Sequence, residues 1–147
     1  MSDLPGSVLF CCSLNALRSP MAEAILKHLH GRQIYVDSAG VRAGPLDEFA
    51  VTVMDELGID ITKHKAKTFD DLEDGSFDIV ISLSPEAQHR AVEMTRTMAA
   101  EIEFWNTMDP SIVEGHREVR LEAYRQVRDG LMARIQARFP LRPTPIV

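Results

Sequence analysis

The segment VLFCCSLNALRSPMAEAI, residues 8–25, passes from an apolar run through a short polar loop into a helix. Val8-Leu9-Phe10-Cys11 reads as a buried strand. Cys12 to Arg18 reads as the loop. Ser19 is then expected to cap a helix, with Pro20 at its first position and Glu23 in its first turns. Ala22, Ile25, Leu26 and Leu29 form the apolar stripe of that helix, and Gly31 stops it.

The same alternation continues downstream. Ile34-Tyr35-Val36 reads as a second strand, ended by Asp37-Ser38-Ala39-Gly40. Leu46 to Leu57 reads as a second helix, with Gly58 as its stop. Residues 77–81 read as a third strand, Pro85 to about Met98 as a third helix, and Ile102 to Trp105 as a short fourth strand. A long helix is expected from about His116 to Arg138. Val119, Ala123, Val127, Leu131, Ile135 and Phe139 recur along it every four residues. Gly130 weakens this helix by about 1 kcal/mol relative to Ala, which burial of the stripe outweighs. Strands alternating with helices predict an α/β fold, a parallel sheet covered on both faces. The expectation is a three-layer, doubly wound, flavodoxin-like domain with strand order 2-1-3-4. It spans residues 1–147, with an ordered core of about 7–139 and an irregular tail at 140–147, where three prolines fall. In such sheets a ligand sits beyond the carboxyl ends of the strands, where the loop after the first strand lies.

Composition narrows the function. The 147 residues carry 16 Lys and Arg against 22 Asp and Glu, a net charge of -6. Nucleic-acid binders lean on basic surfaces, so this balance argues against that class. No apolar run is long enough to span a membrane. The first residues, MSDLPGS, lack the basic leader of a secretory signal. The two cysteines are neighbours and offer no cross-chain staple. A cytoplasmic protein with no membrane partner is therefore expected. The five histidines, His28, His30, His64, His89 and His116, are scattered and no carboxylate cluster has ligand spacing, so neither a metal site nor a cofactor is expected.

The strand–loop–helix junction has its own chemistry. Backbone N–H groups of the loop, residues Ser13, Leu14, Asn15, Ala16 and Leu17, together with the helix N-terminus form an anion cradle without metal. Arg18 stands where loop meets helix, and its planar fork can bind two oxygens of a phosphate at once. Cys12 opens the same cradle, whose positive character favours a thiolate there. A thiolate at the floor of a phosphate cradle is placed for in-line attack. Cys11 continues the strand and reads as a core residue.

These residues resemble the low-molecular-weight protein tyrosine phosphatase family and its relatives, the thiol-linked arsenate reductases. The family pattern C-x2-N-x2-R-S-P-x-A-E-A is met by Cys12, Asn15, Arg18, Ser19, Pro20, Ala22, Glu23 and Ala24. VDSAG at 36–40, ELGID at 56–60, HKAK at 64–67 and Asp109-Pro110 extend the likeness from Val8 to about Phe139. The resemblance implies that Cys12 is the nucleophile, that Arg18, Ser19 and the loop amides bind phosphate, and that Asp109 is the general acid. It implies that Asn15 is left-handed and held by Ser19, Ser38 and His64, and that Ser19 donates to the thiolate. Read alone, Ser38 is a turn residue, His64 part of an exposed basic stretch and Asp109-Pro110 an ordinary turn.

Two departures bear on the substrate. The phosphatases carry aromatic residues after Asp-Pro, where this chain has Ser111 and Ile112, and the loop Val41-Arg42-Ala43-Gly44 also lacks an aromatic wall. Many of them hold a further cysteine inside the loop, where this chain has Leu17. The expected function is phosphate monoester hydrolysis through a phosphocysteine, on a phosphorylated protein or a small phosphate ester. The alternatives are a thiol-dependent arsenate reductase of the same fold, or a phosphate binder without turnover. WNTMDP at 105–110 and the Arg-rich last helix resemble the reductase branch. The thioredoxin-linked version needs two later cysteines, and none follows Cys12.

Overall fold

The structure, a computed structural model, describes residues 4–73 and 75–141. The expected irregular tail therefore lies outside the described residues from position 142 onward. Four strands form one parallel sheet: β1 (Ser7–Cys12), β2 (Tyr35–Gly40), β3 (Ile79–Ser82) and β4 (Glu101–Phe104), in the order β2-β1-β3-β4. All three pairings are parallel, as the strand–helix alternation predicts. The helices are α1 (Arg18–His30), α2 (Glu48–Asp55), α3 (Pro85–Met94) and α4 (Arg117–Arg138).

β1 is central and pairs on both sides, with Phe10 opposite both Ser38 and Ile81. Its side chains alternate between two apolar layers, the period-2 rule of a strand. Val8, Phe10 and Cys12 join the layer built with Met21, Ile25, Met54, Tyr124 and Ile135, which come from α1, α2 and α4. Leu9 and Cys11 join the opposite layer, with Ala87 and Ala91 of α3, Phe69, Phe77 and Val80. The adjacent cysteines therefore face opposite sides of the sheet, and Cys11 Sγ lies 3.7 Å from the Ile81 carbonyl.

Several boundaries differ from the sequence reading, each for a local reason. α1 begins at Arg18, after Leu17, and no side chain caps it. Ser19 is thus inside the first turn rather than at the cap, because its hydroxyl is drawn to Cys12. α2 starts two residues late because Asp47 caps it, accepting from Phe49 N and Ala50 N. It ends through Gly58, whose φ of +74° suits glycine. α3 stops at Met94, where a tighter 3₁₀ turn takes over at Thr95–Thr97. Along α4 the four-residue stripe holds from Ala123 to Phe139, while Val119 is exposed. α4 also buries Arg128, which donates to Val53 O and to Glu56 and so fixes the end of α2.

Backbone bonds lace the β2–α2 loop to the loop after β1: Val41 N to Cys12 O, Arg42 N to Ser13 O and Gly44 N to Leu14 O. This closeness explains Gly40. A Cβ there would lie 2.5 Å from Arg42 O and 2.7 Å from Asn15 N, both backbone atoms that cannot yield cheaply. Gly40→Ala is expected to cost about 1–3 kcal/mol of stability by overpacking and to weaken binding of inorganic phosphate. Thermal unfolding with and without phosphate checks this; an unchanged melting temperature together with unchanged phosphate stabilisation would contradict it.

Candidate active site

Residues Ser13 to Leu17 turn sharply between the central strand and α1. The turn requires one left-handed residue, and Asn15, with φ of 53°, supplies it as the lone non-glycine in that region among the described residues. Four polar contacts hold the side chain of Asn15, which is wholly buried. Its Nδ2 donates to Ser19 Oγ and to Ser38 Oγ, both at 2.9 Å. Its Oδ1 accepts from Lys67 N at 3.0 Å and from His64 Nε2 at 3.1 Å. Because Lys67 N–H can only donate, the amide orientation is fixed.

Ser19 Oγ accepts from Asn15 and lies 2.8 Å from Cys12 Sγ. Toward a thiolate, which can only accept, the hydroxyl is the donor of that pair. Ser38 Oγ also accepts from Asn15, and it donates to Glu23 Oε1. Glu23 in turn takes Lys27 through its other oxygen. His64 closes the ring from behind: Nε2 faces the two Asn15 oxygens and Nδ1 lies 3.8 Å from Glu23 Oε1. Burial, the largest influence on it, pushes the His64 ring below the usual histidine range. The ring is then neutral, and it carries its proton on Nε2, because Asn15 presents only acceptors there.

In front of this network lies an open cavity of about 510 Å³. Cys12, Arg18 and Asp109 all line it, together with Ser13, Leu14, Ala16 and Leu17. Among the described residues, the backbone N–H groups of Ser13 to Leu17 donate to no protein acceptor, which leaves them available to an anion. Arg18 gives one N–H to the carbonyl of Thr107, at 3.0 Å, and among the described residues its others meet no protein acceptor. Asp109 caps the 3₁₀ turn Pro110–Ile112, with Oδ1 accepting from Ser111 N at 2.9 Å and from Ser111 Oγ at 2.6 Å. Its Oδ2 has no protein partner among the described residues. A thiol, a guanidinium and a carboxylate thus share one cavity.

The model of the low molecular weight phosphotyrosine protein phosphatase family matches residues 7–137. The chain belongs to that family. An arsenate reductase of Shouchella clausii (strain KSM-K16) is 35% identical over 130 residues, which cover 88% of this chain and 91% of that one. A solved arsenate reductase in its oxidized state superposes with a TM-score of 0.76 at 28% identity, covering 90% of this chain and 95% of that one. A low-molecular-weight protein tyrosine phosphatase from T. tengcongensis superposes with a TM-score of 0.71 at 30% identity, covering 88% and 95%. The family is enzymatic, and its named relatives here include both phosphatase and arsenate reductase.

The three residues expected to carry the chemistry lie together, and Asn15, Ser19, Ser38 and His64 lie together behind them. Sequence reasoning missed the anchors of both groups. Glu23 was read as a helix-start residue, yet it holds Ser38 and faces His64. Its signal is a carboxylate set among Met21, Ala22, Ile25 and Leu26 in α1. Lys67 and Thr107 act through backbone atoms, for which no side-chain signal exists.

Two outcomes are expected. Asn15→Ala strands buried partners on Ser19, Ser38 and Lys67, and each such group costs about 1–3 kcal/mol. Chemical denaturation is expected to show a loss of about 2–4 kcal/mol for that variant, and a loss below 1 would contradict the network. His64 bears on pH. Its folded value is depressed, so as pH falls below about 6.5 the unfolded chain takes up the proton first. Its contribution is present above that pH and lost below it. His64→Gln is therefore expected to flatten the decline of stability between pH 7 and pH 5.

Proposed function

We propose that this chain is an enzyme in which the Cys12 thiolate attacks the central atom of a tetrahedral oxyanion held by Arg18 and the amides of residues 13–17. The observation that carries the reading is the 2.8 Å contact of Ser19 Oγ with Cys12 Sγ inside a fully bonded network. A hydroxyl whose proton is aimed at sulfur stabilises the thiolate as nucleophile and later as leaving group.

The chain's own residues can complete phosphate monoester hydrolysis. Sulfur forms a bond to phosphorus while the ester oxygen departs with its electron pair and takes a proton from Asp109. Asp109 then removes a proton from water as that water attacks phosphorus, and the thiolate leaves. The free Oδ2 of Asp109 and the space beside it suit both steps. Among the described residues no aromatic side chain lines the cavity, so phosphotyrosine is not singled out among esters.

Arsenate reduction is favoured by the name of the sequence relative described above, and it stands at least level with ester hydrolysis. Sulfur attacks arsenic, hydroxide leaves with a proton from Asp109, and a second thiol must then attack Cys12 Sγ. The sulfur–arsenic electron pair stays on arsenic, giving arsenite and a mixed disulfide, which another thiol reduces. Cys11 cannot be that second thiol. It faces the other side of the sheet, and burial pushes its thiol well up, which keeps it protonated. The electrons must come from a thiol outside the chain.

Paired assays without added metal separate the readings. One follows an aryl phosphate; the other follows arsenite release from arsenate with glutathione and a glutaredoxin supplied. Cys12→Ser is expected to abolish whichever activity the wild type shows. Retained turnover in that variant, or neither activity in folded wild type with reduced Cys12, would overturn the proposal. For ester hydrolysis, Asp109→Asn is expected to slow poor leaving groups by about 10²–10⁴-fold and good ones far less. An equal loss on all leaving groups would remove Asp109 as the acid.

A further inference from the structure

The cavity in front of Cys12 is larger than a tetrahedral oxyanion. At about 510 Å³ it falls in the range of sites for small organic molecules. Beyond the loop its lining is Arg42, the aliphatic Pro45 and Leu46, and the polar Asp47, Asp109 and Ser111, with Leu14 of the loop adding a third apolar side chain. Both Asp47 oxygens are taken, by Phe49 N and Ala50 N and by Tyr124 Oη. Arg18 and Arg42 are the two cations among the lining residues. Arg18 belongs to the oxyanion. Arg42 has no part in the chemistry described above.

Three features make Arg42 a reader of charge rather than a loose surface residue. Its backbone is pinned to the catalytic loop, Arg42 N donating to Ser13 O at 2.8 Å, with Val41 and Gly44 bonded on either side. The position of its backbone relative to Cys12 is therefore set by main-chain bonds. Its guanidinium already holds a carboxylate in a two-pronged grip: Nη1 to Glu86 Oε2 at 2.7 Å and Nη2 to Glu86 Oε1 at 3.2 Å. The pair is open to solvent, with side-chain exposures of 60% and 44%. Exposed pairs contribute only about 0–1 kcal/mol, so a competing carboxylate at the cavity mouth can take Glu86's place. Glu86 does not lose all support when released, because it stands in the first turn of α3, where the helix N-terminus favours negative charge.

We propose that Arg42 recognises a second anionic group on the substrate, so that the preferred substrates are phosphate monoesters whose organic part bears a carboxylate. This rests on the ester-hydrolase reading. The aliphatic walls take the organic part, Arg18 takes the phosphate, and Arg42 exchanges Glu86 for the substrate carboxylate. An arginine at this wall performs by charge the selection that an aromatic wall performs by stacking.

Binding tests the proposal without turnover. Cys12→Ser protein is titrated with benzylphosphonate and with 4-carboxybenzylphosphonate, and the affinity ratio of the two is read. The carboxylate compound is expected to bind roughly two- to fivefold tighter, the scale of one exposed ion pair. The ratio is expected to fall to about one in Cys12→Ser/Arg42→Gln, to rise in Cys12→Ser/Glu86→Gln, and to shrink as salt is raised. A ratio of one in the parent, or a ratio unchanged by Arg42→Gln, overturns the proposal. Binding of inorganic phosphate but of neither phosphonate overturns it as well. If the ratios behave as expected while aryl phosphates are not turned over, the hydrolase reading fails and the role of Arg42 as a carboxylate reader stands.

Discussion

Everything at the candidate site depends on the side chain of Asn15. A loop that curls its amides around an anion needs one residue in left-handed backbone, and any residue with a Cβ resists that conformation. Asn15 adopts it because four hydrogen bonds reward it, to Ser19, Ser38, His64 and Lys67. The same bonds orient the Ser19 hydroxyl toward Cys12. The shape of the loop and the placement of a hydroxyl beside its sulfur thus have one origin. Among the described residues no buried side-chain nitrogen or oxygen lacks a partner, as a polar network in a dry interior requires.

The sheet sets the stage for that network. β1 is buried from Val8 to Cys12 and paired on both sides, so Cys12 at its end has little freedom. Period-2 alternation sends Cys11 into the layer with α3 and Cys12 into the layer with α1 and α4. One residue of shift would exchange the two sulfurs. Adjacent cysteines therefore have different fates for a geometric reason: one is sealed in the core and the other opens on a cavity.

The sequence carried the fold through periodicity. Four apolar runs alternating with helical stripes predicted a parallel sheet, and the strand order 2-1-3-4 stands in the structure. The cradle was legible for the same reason, as a loop between a strand and a helix. Family resemblance, not spacing, brought in Ser38 and His64, which are distant in sequence and meet through Asn15 and Glu23. Contacts made by main-chain atoms were not legible. Thr107 O on Arg18 and Lys67 N on Asn15 depend on where loops run, and no residue type announces them. Ser19 misled because a serine before a proline is a good cap, yet in the structure its hydroxyl serves Cys12 instead. The ends of α2 and α3 shifted where Asp47 capped one and a 3₁₀ turn closed the other.

The central claim is that Cys12, held in an oxyanion cradle, is the reactive sulfur. The most direct measurement is alkylation of the native protein by iodoacetamide, with the modified cysteine located by peptide mass mapping and the rate followed as phosphate or arsenate is added. The account predicts modification of Cys12 alone, with saturable protection by either oxyanion. Modification of Cys11 at a comparable rate, or labelling of Cys12 that neither oxyanion slows, would contradict it.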